Sequence, residues 1–110
     1  MDNAINELFQ IIGDDYFQQR SRSEYFRPED AEEFRDSLTV EEGRKYLKIV
    51  KKLGNQRLVW GFIVKEDDKK FKAGDILKAA GWAAPTRNKS RGNILDGDFS
   101  WVRWTGPEYL

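Results

Sequence analysis

The segment Leu58-Val59-Trp60-Gly61-Phe62-Ile63-Val64 constrains this chain more than any other. A strand with one wet face alternates apolar and polar residues, whereas this run is apolar throughout, so both of its faces need cover. The chain has 110 residues, and 35% of them are charged. That length suits one domain, and the run predicts a central strand with material packed on each side.

The surrounding sequence supplies neighbours for that strand. From Lys45 to Lys51 the pattern alternates, with Leu47 and Ile49 pointing one way and Tyr46 and Lys48 the other, as in a half-buried strand. Gly54 and Asn55 make the turn between the two runs, and Glu66 to Lys70 reads as a charged hairpin tip. Phe71, Gly74, Asp75, Ile76 and Leu77 suggest a turn and a short strand; Ala79 to Pro85 and a polar, basic loop from Thr86 to Asn93 follow. Asp96-Gly97 then reads as a hairpin turn before a strand from Phe99 to Trp104.

The first 43 residues read as helical and acidic. Asp2 or Asn3 can cap a helix whose apolar positions Ala4, Ile5, Leu8, Phe9 and Ile12 have helical spacing, and Gly13 is placed to end it. Asp14 and Asp15 can cap a further turn through Tyr16, Phe17 and Gln19. Pro28 opens a second helix, with Glu29, Asp30, Glu32 and Glu33 at its positive end and Ala31, Phe34 and Leu38 as its apolar stripe. The expected fold is therefore α+β in a single domain, residues 1–110. Short N-terminal helices (1–43) pack on a small bent antiparallel sheet or partly closed β-barrel (44–110).

Composition narrows the chemistry. With no Cys and no His, thiol nucleophiles, disulfides, thiolate metal sites and the commonest general base are all absent. No catalytic triad, phosphate loop or metal cluster is visible, so the expectation is a protein that is not an enzyme and needs no cofactor. Asp96 with Asp98 and Asp67 with Asp68 are the paired carboxylates that suggest magnesium; a hairpin turn and a loop tip explain them without a metal. No apolar run reaches the length of a membrane span and no basic-then-apolar leader opens the chain, which gives the cytoplasm as the expected compartment.

The formal net charge of zero conceals two opposite parts: residues 1–43 hold 4 basic and 12 acidic side chains, a net −8, and residues 44–110 hold 15 and 7, a net +8. Such asymmetry bears on partners. Glu29, Asp30, Glu32, Glu33 and Asp36 form the core of an acidic segment that Glu41 and Glu42 extend. It can complement the basic part of its own chain, face a basic partner, or be the solvated side of a helix. A basic loop follows Trp82, where Arg87, Lys89 and Arg91 with Asn93 offer phosphate contacts beside an aromatic on which a base can stack. Lys45, Lys48, Lys51, Lys52 and Arg57 read as edge-strand charges that discourage sheet-to-sheet aggregation. Among the tryptophans, Trp60 belongs to the core, and Trp101 and Trp104 fall on opposite strand faces, so that only one points inside and the other is either covered by a helix or exposed on a binding surface.

Five stretches together carry a resemblance: Lys45-Tyr46-Leu47-Lys48-Ile49, Val59-Trp60-Gly61-Phe62-Ile63, Gly74 through Pro85, Arg91-Gly92-Asn93-Ile94, and Trp104 through Leu110. Over residues 44–110 the chain resembles small, functionally unassigned proteins of tailed bacteriophages. The resemblance implies a phage setting and an accessory protein that binds, and inhibits or redirects, a host protein or nucleoprotein complex in the host cytoplasm. It carries no catalytic residues. The contact residues expected for that role are the acidic helix from Glu29 to Asp36 and the loop from Arg87 to Asn93. The alternative reading is a single-stranded nucleic-acid-binding β-barrel using Trp82, Arg87, Lys89 and Arg91. The sequence leaves the oligomeric state open.

Overall fold

The structure, a computed structural model, describes residues 1–108; Tyr109 and Leu110, which end the phage resemblance, lie outside the described residues. The fold is α+β. Helices α1 (Asp2–Arg20) and α2 (Pro28–Asp36) precede strands β1 (Thr39–Glu42), β2 (Tyr46–Leu53), β3 (Gln56–Val64) and β4 (Ile76–Leu77), and a small hairpin of β5 (Val102–Arg103) and β6 (Gly106–Pro107) ends the described chain. The main sheet is antiparallel in the order β1-β2-β3-β4.

The sheet is open, so the barrel alternative does not hold. The outer side of β4 is bonded to the segment 91–93: Ile76 N–H donates to Gly92 O, and Arg91 N–H to Ile76 O. With that side occupied by a loop, β4 cannot reach round to β1.

Strand β3 is central and covered on both faces, as its composition requires. On one face Trp60 and Ile63 join Leu47 and Ile49 of β2, and α1 and α2 close over them with Ile5, Leu8, Ile12 and Phe34; Leu38, expected in the helix stripe, joins them from the link between α2 and β1. On the other face Phe62 and Val64 pack with Leu77 and Phe71 under the loops, not under a helix. The register contains one irregularity: Ile49 stands opposite Gly61 and Val50 opposite Val59, which makes Trp60 an extra residue, a β-bulge.

Helix α1 runs straight through Gly13, so the short helix and separate turn expected from the sequence are one element of 19 residues. Gly13 is there for space: a Cβ would lie 3.2 Å from Arg35 Cβ, where α2 crosses. Neither Asp2 nor Asn3 caps it; both lie inside the helix, whose N-cap is Met1. Helix α2 begins at Pro28 as expected, and Asp30 Oδ2 accepts the Arg27 N–H at 3.1 Å.

Residues 39–42 form a strand rather than helix. Their partner is β2, with Val40 opposite Ile49 and Glu42 opposite Leu47. The expected strand from Phe99 to Trp104 shrinks to Val102–Arg103, because Asp98 Oδ1 accepts the N–H and hydroxyl of Ser100 and folds the preceding residues into turns. Trp104 lies under the helices, edge-on to Tyr16 and Phe34, and its backbone N–H donates to Asp15 Oδ2 at 2.8 Å. Trp101 remains half-buried.

Side chains from the sheet stitch the hairpin in place. Trp60 Nε1 donates to Arg103 O at 2.7 Å, Lys51 Nζ to Thr105 O at 2.8 Å and Lys78 Nζ to Pro107 O at 2.7 Å. Lys51 is therefore a buried structural donor on an inner strand, not an edge charge, and burial lowers its pKa, helped by the charge of Lys78. Lys48 and Lys52 also belong to this inner strand.

Candidate nucleic-acid interface

Trp82 sits at the tip of a tight turn. Ala79 and Pro85 bridge at its base, and the Ala80 and Gly81 N–H groups both donate to Ala84 O. This turn projects the indole over the sheet face away from the helices, where it is 47% exposed. Lys48 Nζ of β2 lies 4.3 Å from the ring centroid and the Arg57 guanidinium of β3 lies 5.5 Å from it, both within cation–π range. The bulge at Trp60 makes this meeting possible: strict alternation from Phe62 would bring Leu58 to this face, and the extra residue brings Arg57 and Val59 instead.

Beside Trp82 a shallow groove of about 470 Å³ runs over Phe62 and Tyr46 and is bounded by Arg44, Lys45, Lys48 and Ala83 and, on the β1 side, by Glu41 and Glu42. Arg57 forms an ion pair with Glu41 on β1. Among the described residues Arg44, Lys45 and Lys48 have no carboxylate within ion-pair distance. The groove therefore combines an aromatic floor with unneutralised cations along one side.

The basic loop expected from the sequence divides into residues that face solvent and residues that hold the fold. Arg87 packs over the Phe71 ring at 4.8 Å, pairs with Asp68 at 3.0 Å and donates to the Tyr46 hydroxyl. These contacts pin the loop over the second core cluster. Lys89 is exposed and lies 5.3 Å from the Trp101 ring. Arg91 and Asn93 do not belong to a contact surface, being only 2% and 7% exposed. Asn93 Nδ2 donates to Ala73 O and Asp75 Oδ1 while its Oδ1 accepts from Leu95 N and Asp96 N, so its amide ties two loops together. Arg91 donates to Asn88 Oδ1 and Lys89 O.

The acidic candidates lie elsewhere. Glu29, Glu32, Glu33 and Asp36 are exposed on α2, whose buried residue Phe34 belongs to the helix-covered face. Asp30 is committed to the start of the helix, with Arg27. The ion pairs that join the acidic and basic parts come from β1, Glu41 to Arg57 and Glu42 to Lys65 at 3.3 Å. The α2 carboxylates therefore point outward instead of covering the basic face.

The paired aspartates serve turns. Asp68 Oδ1 accepts the N–H groups of Lys70 and Phe71, and Asp67 Oδ1 accepts that of Ala73. Asp98 organises Ser100 as described, and Asp96 N–H donates to Asn93. Among the described residues no three or more Asp, Glu, His or Cys side chains converge as a metal site would require, and no helix is long and apolar enough to cross a membrane.

The sequence pointed to Trp82 but not to its neighbours. Lys48 and Arg57 reach it only through strand pairing and the bulge, neither of which leaves a local signal. No curated protein and no solved structure matches the chain. A family model does match, over residues 1–107, taking in the acidic helices together with the basic sheet, and the chain belongs to that family, described as a family of unknown function (DUF7717).

Proposed function

We propose that this protein acts by binding and not by catalysis, and that its working surface is the Trp82 face, which takes single-stranded nucleic acid. The observation that carries this reading is the exposed indole flanked by Lys48 and Arg57 beside a groove lined by Arg44 and Lys45. Cations neutralise phosphates and an accessible aromatic ring stacks an unpaired base whatever its identity. The contact set differs from the one read in the sequence: Arg87 is pinned to Asp68 and Arg91 is buried, so Lys48, Arg44 and Lys45 take their place, while Arg57, paired with Glu41, supports the indole.

A second reading is supported by α2. Its exposed carboxylates Glu29, Glu32, Glu33 and Asp36 pair with no cation of the sheet, and they suit a basic protein surface. Together with the likeness of residues 44–110 to small phage proteins, this supports an accessory protein that engages a host nucleoprotein complex in the cytoplasm, one face toward each component.

The test is fluorescence anisotropy with a labelled oligothymidylate and, separately, a duplex of the same length. The single strand binds with a steep salt dependence and the duplex binds more weakly. Trp82→Ala lowers single-strand affinity on the order of 10-fold or more, in line with about 1–3 kcal/mol for a stacked base. It leaves thermal stability nearly unchanged. Absence of binding at low salt, or equal affinity for wild type and Trp82→Ala, overturns the reading.

A further inference from the structure

The two edges of the main sheet are treated differently by the rest of the chain. The outer side of β4 is bonded to the segment 91–93, as described. The outer side of β1 is open. In the β1–β2 hairpin Gly43 N–H donates to Tyr46 O, and on the far side of β2 Lys65 N–H donates to Lys45 O. Alternation from these two bonds directs the backbone groups of Thr39 and Glu41 toward β2, and those of Val40 and Glu42 away from the sheet. Among the described residues neither outward pair has a hydrogen-bond partner.

We propose that β1 is a pairing edge for a second copy of this chain, which forms a two-fold dimer through an antiparallel β1–β1 contact. With the two-fold axis at Glu41, Val40 of one copy stands opposite Glu42 of the other, and the outward groups of both strands are satisfied at once.

Three observations favour this occupant. The carboxylates that would guard such an edge are already neutralised, Glu41 by Arg57 and Glu42 by Lys65. An apolar groove of about 460 Å³ flanks the edge on the helix side, with Met1, Ile5, Phe9 and Val40 in its lining and Met1 and Val40 exposed; the axis sets the two grooves side by side. The closed β4 edge means that pairing stops at two copies instead of growing into a fibre. A second copy also brings a strand that is already ordered. An unstructured peptide would have to lose its conformational freedom for the bonds of two residues.

The inference is independent of the nucleic-acid reading, and its test uses no nucleic acid. Sedimentation equilibrium from the micromolar to the millimolar range is expected to give a mass twice that of the 12.9-kDa chain, with concentration-dependent dissociation. Val40→Pro removes an N–H that no partner within the chain uses and fits an edge strand; the variant is expected to be monomeric with the circular dichroism of the wild type. Val40→Glu, which keeps the backbone intact and sets a like charge opposite Glu42 of the other copy, gives the same loss of dimer if the proline variant fails to fold. A wild type that stays monomeric throughout, or a dimer that survives Val40→Glu, overturns the proposal.

Discussion

The two faces of the sheet are closed by different means. On the helix side, α1 and α2 bring contiguous apolar side chains onto Trp60, Ile63, Leu47 and Ile49, and aromatic contacts extend the packing from Tyr16 to Phe34 and Trp104. On the other side the cover is loop, and much of what fixes it is polar: Asp68 gathers the N–H groups of Lys70 and Phe71, and Arg87 ties the following loop to Asp68 and Tyr46. Apolar burial is non-directional and hardly responds to salt or acid. Exposed ion pairs respond to both. The helix face is therefore where stability resides, and the loop face is the one able to carry an exposed, adaptable contact such as Trp82.

Substitution on the helix face should have the largest effect. Leu8 is fully buried against the sheet, and Leu8→Ala is expected to cost about 2–5 kcal/mol, read as a lower denaturant midpoint for the whole molecule. If the loss were confined to α1 while the sheet unfolded at its usual midpoint, the two parts would be separate folding units and the comparison would fail.

Arg87→Ala should do much less. Its expected result is faster amide exchange in residues 79–91 with the global midpoint nearly unchanged, because the core beneath keeps Phe62, Val64 and Leu77. Hydrogen exchange followed residue by residue checks this, and a global loss equal to that of Leu8→Ala would remove the distinction between the faces.

The smallest effect is one of pH. The Asp68 carboxyl is held down from 3.8 to about 2, first by the N–H of Phe71, then by that of Lys70, and third by Arg87. A depressed carboxyl favours the folded loop above its ordinary pKa and loses that contribution as the pH falls through the folded value. Loop resonances should accordingly shift with a midpoint near 2, a transition the helix face does not share. Arg87→Ala should raise the midpoint only part of the way to the ordinary value, since the two backbone donors remain.

How much of this was legible in the sequence depends on whether the cause was local. Pro28 and the acids behind it mark the start of α2 because capping and dipole effects act within one turn. The apolar run of β3 reveals its double cover because burial is written into every position. Gly13 misleads, since a glycine that ends a helix and one that admits a neighbouring helix look alike in the chain. Thr39–Glu42 reads as more of the acidic helix because its strand character comes from β2, a separate segment. Arg91 and Asn93 look like loop donors; their burial depends on Ile76 and Ala73 arriving from the preceding strand and turn. The Trp82 site was half visible: the indole and positive charge nearby could be read, the particular cations could not.

The bulge at Trp60 gives β3 something like a reading frame. Residues before it and residues after it are written in different phases, so Arg57 and Val59 share a face with Phe62 and Val64 only while the extra residue is bulged out. Straightening the bulge with every residue kept would leave composition and strand length unchanged, yet it would carry Arg57 to the helix side and set Leu58 beneath Trp82. The pairing at a single position thus decides whether the outer surface of this sheet is basic or greasy.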